Sequence, residues 1–405
     1  MAELTMRIVY LHQYFKTPSM QGGTRSFEFA RRLADEGYDV QMVTSDTSED
    51  APPGWTVEKV SGFTVHWLKV PYSNKQSFNR RIIAFLSFAV GAAHRSRSLR
   101  GDLIFATSTP LTIILPVLWA SLFRSSPLVF EVRDLWPELP IAVGALRHPL
   151  AIALSRYLEK IAYKKADQIV ALSPGMQSGI LARGIPPDRV TVIPNSSDVD
   201  LFHPQVEPRD WSQDCPELVG KKVVLYGGTL GFINGVDYLA EVAAIVKDTH
   251  KDVAFLVIGD GSQQQQIAER ARHLGVMDVN FFMRPAFTKN EMPSVLASCK
   301  VATSLFLPIP EMEANSANKF FDALAAGKPV IINYGGWQKN VLESAQAGMS
   351  VSASPQESAT EIVQLLEDED RLESMSRNSR HLAETVYSRD KLFLRLLSVL
   401  RSVLK

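Results

Sequence analysis

The sequence predicts an α/β protein made of two doubly wound parallel-sheet domains. Three observations carry this expectation. The 405 residues exceed what one ordinary core organises, so two domains of about 150–200 residues are expected. Short apolar, strand-like runs alternate with helical periods, the pattern of a parallel sheet covered by helices on both faces. That rhythm breaks across residues 198–216, where Asp and Pro accumulate around Trp211, and then begins again.

In the first half, Arg7 to Leu11 reads as a strand and Thr24 to Glu36 as a helix closed by Gly37. Asp39 to Thr44, Leu103 to Ala106 and Leu128 to Val132 read as strands, and Ile152 to Lys165 repeats its apolar residues at a helical period. Gln168 to Leu172 and Val190 to Ile193 complete the first series. Leu103 to Phe123 is long and apolar enough to suggest a membrane span. Thr107, Ser108, Thr109 and Pro110 interrupt it, Pro116 follows, and a strand, a turn and a buried helix explain it better. The second series has strands at Lys222 to Tyr226, Val253 to Ile258, Val279 to Met283 and Val301 to Phe306. Helices run from Val236, up to Leu274 and from Lys289. The expected division is an N-terminal domain at 1–204 and a C-terminal domain at 205–388. An amphipathic helix at 389–405 then packs back on the first domain. In sheets of this kind ligands bind beyond the carboxyl ends of the strands, so the cleft between domains is the expected site.

Composition narrows the function. Hydrophobic residues make up 46% and charged residues 21%, as in a folded enzyme. The 43 basic and 43 acidic residues balance, which argues against a nucleic-acid partner. Cys215 and Cys299 form no CxxC pair, and Met6 to Leu11 is too short for a signal core, so a cytoplasmic location is expected. Residues 76–100 combine Phe78, Ile82, Ile83, Phe85, Leu86 and Phe88 with Arg80, Arg81, Arg95, Arg97 and Arg100. That stretch suits peripheral contact with an anionic membrane, at its inner face, or equally a core helix with a basic outer end.

Residues 315–333 carry the most chemistry. A polar turn holding Asn315, Ser316 and Asn318 enters a short helix that Gly327 and Pro329 stop. Lys319 and Asp322, three apart, share a face near its start. A helix start favours phosphate, Lys319 adds a charge, and Asp322 can accept from a ribose. Gly22 and Gly23, with Arg25 beyond them, follow the first strand as an anion-binding loop. Tyr226-Gly227-Gly228-Thr229-Leu230-Gly231 follows the second domain's first strand without the dinucleotide GxGxxG spacing. The densest polar run at a strand end is Glu131 to Glu138. There Arg133 suits an anion, Asp134 or Glu138 a base, and Trp136 a sugar-stacking platform, with a salt-bridged turn as the structural reading. No His cluster suggests a metal, and none is expected.

Together with these segments, Ala166 to Gly175, Val192 to Asp198 with Phe202, Gly259-Asp260-Gly261 and Asp322 to Pro329 stand in the order and spacing of the family-4 glycosyltransferases. The chain resembles that family over nearly its whole length. The Arg133 to Glu138 and Asn318 to Asp322 segments look like the branch that adds sugars during bacterial O-antigen and capsule assembly. The resemblance implies a GT-B fold, with an acceptor-side Rossmann-like domain and a nucleotide-sugar-binding one. It also implies metal-independent, retaining transfer of a sugar, amino sugars included, from a UDP-linked donor to a lipid-linked saccharide. No cofactor beyond that donor is implied.

The family places two acidic residues eight apart before Gly327. Asp322 takes the second place and Ala314 falls on the first, with Glu313 the neighbouring substitute. The basic pair that holds the diphosphate in the family falls here on Gly228 and Asn234. Lys319, the helix start and the Gly22-Gly23 loop are the expected replacements. An epimerase of the same architecture, using His12 with Glu131 or Glu138, and a non-catalytic nucleotide-sugar-binding subunit are the alternatives.

Overall fold

The computed structural model describes residues 5–20, 22–72, 78–121 and 126–404, with nothing described of the side chains at 78 and 79. The calls on Gln76, the Phe78 side chain, Phe123 and Lys405 therefore lie outside what is described. Two compact units emerge: Met1–Thr17 with Gly23–Pro194 and Leu392–Lys405, and Pro18–Gly22 with Asn195–Lys391.

The first unit holds β1 (Arg7–Leu11), α1 (Arg25–Asp35), β2 (Asp39–Asp46), β3 (Trp55–Val60), β4 (Phe63–Lys69), α2 (Phe78–Leu99) and β5 (Leu103–Thr107). Then come α3 (Ile114–Ser121), β6 (Leu128–Val132), α4 (Glu138–Ala142), α5 (Pro149–Lys165), β7 (Gln168–Ala171), α6 (Pro174–Leu181) and β8 (Val190–Val192). Its eight strands run in the order β3-β4-β2-β1-β5-β6-β7-β8. All neighbours are parallel except β3 and β4, an antiparallel hairpin at the edge. Sequence reading passed over that hairpin because Glu58 and Lys59 break the apolar run and the strand's outer residues, Val57 included, are exposed. The apolar stretch from Leu103 becomes β5, a 3-10 turn at Leu111–Ile113 and α3. No helix among the described residues is long and apolar enough to cross a membrane.

The connections from β4 to β5, β5 to β6 and β6 to β7 all advance the same way across the sheet, and the right-handed crossover rule places α2, α3 and α5 on one face. On the opposite side of the chain's progress, α1 joins β1 to β2. Its Phe27, Phe29 and Leu33 share a core with Ile8, Tyr10, Phe105, Val129 and Val170. The last helix, α14, spans Arg389–Val403, and from Leu392 onward it belongs to this unit. Leu392, Phe393, Leu396 and Leu400 fill the same core, with the Phe29 and Phe393 rings 6.3 Å apart. Burying four such side chains contributes several kcal/mol, about 1.5–3 each.

The second unit, which precedes most of α14 in the chain, holds β9 (Lys222–Gly227), α7 (Asp237–Val246), β10 (Val253–Ile258), α8 (Gln264–His273), β11 (Phe281–Arg284), α9 (Met292–Ala297) and β12 (Val301–Ser304). It continues with α10 (Asn318–Ala325), β13 (Val330–Ile332), α11 (Trp337–Ala345), β14 (Gly348–Ser350), α12 (Pro355–Glu367) and α13 (Glu369–Thr385). The six parallel strands run β11-β10-β9-β12-β13-β14. Leu365, Leu366, Leu372 and Met375 of α12 and α13 join Val224, Phe255 and Val257 in its core. Two starts differ from the sequence reading. Val279 is exposed and lies before β11, and Lys289 lies in the loop before α9, where Glu291 accepts from the Thr288 amide and hydroxyl.

Candidate active site

In the second unit, β9 ends at Gly227 and the chain turns tightly over the next strand's end. The Gly228 amide donates to the Ile258 carbonyl and the Leu230 amide to that of Asp260. The fit requires glycine opposite. At Gly259, whose φ is +155°, an added Cβ would stand 1.8 Å from the Gly228 oxygen, and at Gly261 it would stand 2.2 Å from that of Leu230. Thr229 is exposed at the turn's tip, and its carbonyl accepts from the Tyr226 hydroxyl at 2.7 Å. Asn234 is buried, and its side-chain oxygen accepts from the Gly231 amide, so it closes the turn from within.

Lys319, in the first turn of α10, reaches this turn. Its Nζ donates to the Tyr226 hydroxyl at 2.8 Å and lies 4.2 Å from the Tyr226 ring centroid and 5.0 Å from that of Phe306. It also stands 3.6 Å from where a Cβ at Gly228 would be. Among the described residues no carboxylate pairs with it, and burial alone lowers its pKa from the ordinary 10.5 to about 7. An ammonium held by aromatic faces and a phenol, with no anion beside it, favours an anion that arrives from outside.

Asp322 does not stand open on the same helix face. Its Oδ2 accepts from Lys289 Nζ at 2.6 Å, and both side chains are largely buried. Lys289 also lies 4.3 Å from the Phe202 ring centroid, and burial lowers its pKa against the opposing pull of Asp322. The other oxygen, Oδ1, is buried without a protein partner, so one acceptor remains for a donor such as a hydroxyl. Sequence reading missed Lys289 because it sits 33 residues from Asp322 with no local pattern linking them.

The polar turn before α10 faces inward. Asn315 is buried and donates to the Met312 carbonyl, and its own carbonyl accepts from Trp337 Nε1. Ser316 Oγ accepts from the Asn195 amide, and the Ser316 carbonyl from the Asn195 side chain. These two side chains shape the turn rather than face solvent, while Asn318 is half-buried as the helix's first residue. Glu313 is exposed and borders the Gly335-Gly336 turn. An added Cβ at Gly336, whose φ is +84°, would stand 2.6 Å from the Glu313 carbonyl.

In the first unit, Arg133 and Asp134 leave the end of β6. Asp134 Oδ2 accepts from Thr109 Oγ1 at 3.0 Å, and burial raises its pKa against the opposing pull of Thr109 and Arg133. Thr109 holds a φ of +88°, an outlying conformation for a β-branched residue and one that clusters at functional positions. Arg133 Nη1 lies 3.3 Å from His12 Nε2. Burial, then Arg133, pushes the His12 pKa well below 6.5, so a neutral ring accepts there and carries its proton on Nδ1. That nitrogen is buried without a protein partner.

Other predicted residues of this unit are engaged elsewhere. Arg25 is buried: it pairs with Glu131 at 2.9 Å and donates to the Ile193 and Pro194 carbonyls. It therefore ties α1 to the end of β8, which corrects the expectation of a ligand-facing Arg25. Glu131 also accepts from Thr107. Glu138 pairs with Arg183 and, at 3.8 Å, with Arg156. Its carboxylate is thus held by Arg183, just past the end of α6, and by Arg156 of α5. Trp136 is half-buried, with its amide on the Asp134 carbonyl. Gly22 is exposed with a φ of +128°, and Gly23 is half-buried.

Comparison with known proteins gives this geometry a family. Residues 22–196 match the glycosyl transferase 4-like domain, and residues 221–368 match the glycosyl transferases group 1 domain. Similar proteins include the probable glycosyltransferase WbjE of Pseudomonas aeruginosa, 26% identical over 65% of each chain. The putative colanic acid biosynthesis glycosyl transferase WcaI of Escherichia coli K12 is 21% identical over 69% of this chain and 72% of its own. The fold matches sucrose-phosphate synthase of Thermosynechococcus elongatus with a TM-score of 0.78 at 16% identity, covering 98% and 99% of the two chains. It also matches HepE of Anabaena in complex with UDP, TM-score 0.71 at 17% identity over 98% and 100%. WaaG, a glycosyltransferase involved in lipopolysaccharide biosynthesis, matches with a TM-score of 0.69 at 16% identity over 95% and 98%. The chain belongs to the group 1, family-4 glycosyltransferases and has their GT-B fold.

Proposed function

We propose that this glycosyltransferase moves a sugar from a UDP-linked donor to a lipid-linked saccharide, with retention and without a metal. The observation that carries the donor assignment is Lys319. Its ammonium reaches the Gly228 turn from α10 and, among the described residues, pairs with no carboxylate there. The family's loop arginine would start from Gly228, so the charge is delivered to the same place from the helix instead. A diphosphate at Lys319 would restore its full charge and meet the first amides of α10. The free oxygen of Asp322, steadied by Lys289, is the acceptor for a ribose hydroxyl. HepE crystallises with UDP and with UDP-glucose, which supports a UDP-linked donor.

Stabilising the leaving diphosphate is then the main catalytic contribution, supplied by a fixed cation and fixed dipoles. The acceptor proton passes to the leaving phosphate in a front-face attack. Within the first unit, Asp134, Arg133 and the His12 Nδ1 proton are the groups suited to orienting hydroxyls. The epimerase alternative loses its acid/base pair, since Glu131 is engaged by Arg25 and Glu138 by Arg183. The lipid-linked acceptor draws support from WcaI and WaaG, whose names place them in colanic acid and lipopolysaccharide biosynthesis. Incubating the purified chain with UDP-sugars tests the reading. Release of UDP by the wild type, with a large loss in Lys319→Met, is expected, and equal release by both overturns the assignment of Lys319.

A further inference from the structure

We propose that the outer faces of α2, α3 and α5 form a surface that lies on an anionic lipid bilayer. This deepens the reading above, because a lipid-borne acceptor is met only at such a surface. A helix packed on a sheet normally turns its polar side outward. In α2 the inward side is filled as expected, with Ala84, Phe88, Ala89, Ala92 and Ala93 buried. The outward side is apolar too: Ile83 is 62% exposed, Leu86 47% and Val90 63%, successive turns of one stripe. The neighbouring helix α3 packs on α2, and exposed apolar residues occur on α3 and α5 as well. Trp119 of α3 is 40% exposed, and Leu150, Leu154 and Tyr157 of α5 are 75%, 58% and 61% exposed at helical spacing. Exposed apolar surface of this kind marks a docking site.

Charge selects the partner. Residues 76–100 contain five arginines and no Asp or Glu, so every formal charge that α2 itself carries is positive. The Arg97 guanidinium lies 5.9 Å from the Trp119 ring centroid, an aromatic and a cation paired as at a headgroup boundary. Beside the stripe, a cavity of about 270 Å³ is lined by Lys69 and Arg80 together with Val70, Pro71, Ile83 and Ala84. Two cations over an apolar floor suit a lipid phosphate with the start of its chain. Apolar side chains at the level of the acyl boundary, with basic residues around them, describe a surface that rests on a membrane.

Flotation of the full chain tests this, using phosphatidylcholine vesicles with and without phosphatidylglycerol at low salt. The wild type should float with the anionic vesicles and lose that binding as salt rises. The variant Ile83→Ser/Leu86→Ser/Val90→Ser should bind about tenfold less or weaker still. Arg80→Glu/Arg97→Glu should lose the preference for the anionic lipid. All these positions are exposed, so the melting temperature and UDP affinity should match the wild type. Loss of UDP binding would indict the donor reading instead, independently of this surface. A wild type that stays with the soluble fraction, or a triple variant that floats equally well, overturns the proposal. So does a concentration-dependent dimer that the triple variant abolishes without vesicle binding, which would assign the face to a second copy.

Discussion

Raising the pH from 7 to 9 should weaken UDP binding about fifty-fold, or about 2.3 kcal/mol, if Lys319 is the diphosphate cation. Burial lowers the Lys319 pKa from 10.5 to about 7, with no carboxylate to oppose it. In the free protein the side chain is then about half protonated at pH 7 and about one part in a hundred protonated at pH 9. A bound diphosphate restores the charge, so binding above neutrality takes up a proton. The ligand's own phosphate has its second pKa at about 6, so it is already about nine-tenths ionised at pH 7 and its titration adds little across this window. The groups around Nζ are Tyr226, whose hydroxyl burial pushes upward, and the Phe306 ring, so neither supplies a competing titration. The stability sign runs the other way. A folded-state pKa below the unfolded value means that the unfolded chain binds more protons between about 7 and 10.5, so unliganded stability should rise across that range. Isothermal titration in buffers of different ionisation enthalpy measures the proton uptake directly. Lys319→Arg should bind with little pH dependence. A flat affinity from pH 7 to 9 in the wild type, or an unchanged slope in Lys319→Arg, refutes the reasoning.

Three further outcomes follow from the same geometry. Asp322→Asn leaves Lys289 buried without its carboxylate and should cost about 3 kcal/mol at pH 7, and less at pH 9 as Lys289 neutralises. Urea denaturation at both pH values reads this, and equal stability to wild type would contradict it. Gly259→Ala forces a Cβ toward the Gly228 carbonyl, so UDP affinity should fall about tenfold or more while circular dichroism reports an intact fold. Thr109→Val removes the hydroxyl that opposes the raised pKa of Asp134. Carbon-detected NMR titration should therefore find that carboxyl titrating higher in the variant, and an unchanged value would deny the contact its role.

Much of the architecture was legible because period and punctuation agree. Strands such as Leu128–Val132 and Val253–Ile258 are uninterrupted β-branched and apolar runs, fully buried between helix layers. The β3–β4 hairpin escaped because its edge strand is polar, and β14 because three residues give no periodicity. At the site, Lys319 and the Gly228 turn were readable as motifs, since each combines a special backbone with a charge. Arg25 was misplaced for a physical reason: its partner Glu131 lies 106 residues away, and a buried ion pair leaves no local mark. Lys289, Thr109 and the role of Tyr226 escaped likewise, because tertiary packing alone brings them to Asp322, Asp134 and Lys319.

The central claim is that the lysine of α10 holds the donor's diphosphate over the β9 turn. A crystal structure with UDP tests it most directly. The diphosphate should lie within hydrogen-bond distance of Lys319 Nζ beside Gly228, with a ribose hydroxyl donating to Asp322. Density for UDP elsewhere, with Lys319 still bound only to the Tyr226 hydroxyl, would contradict it.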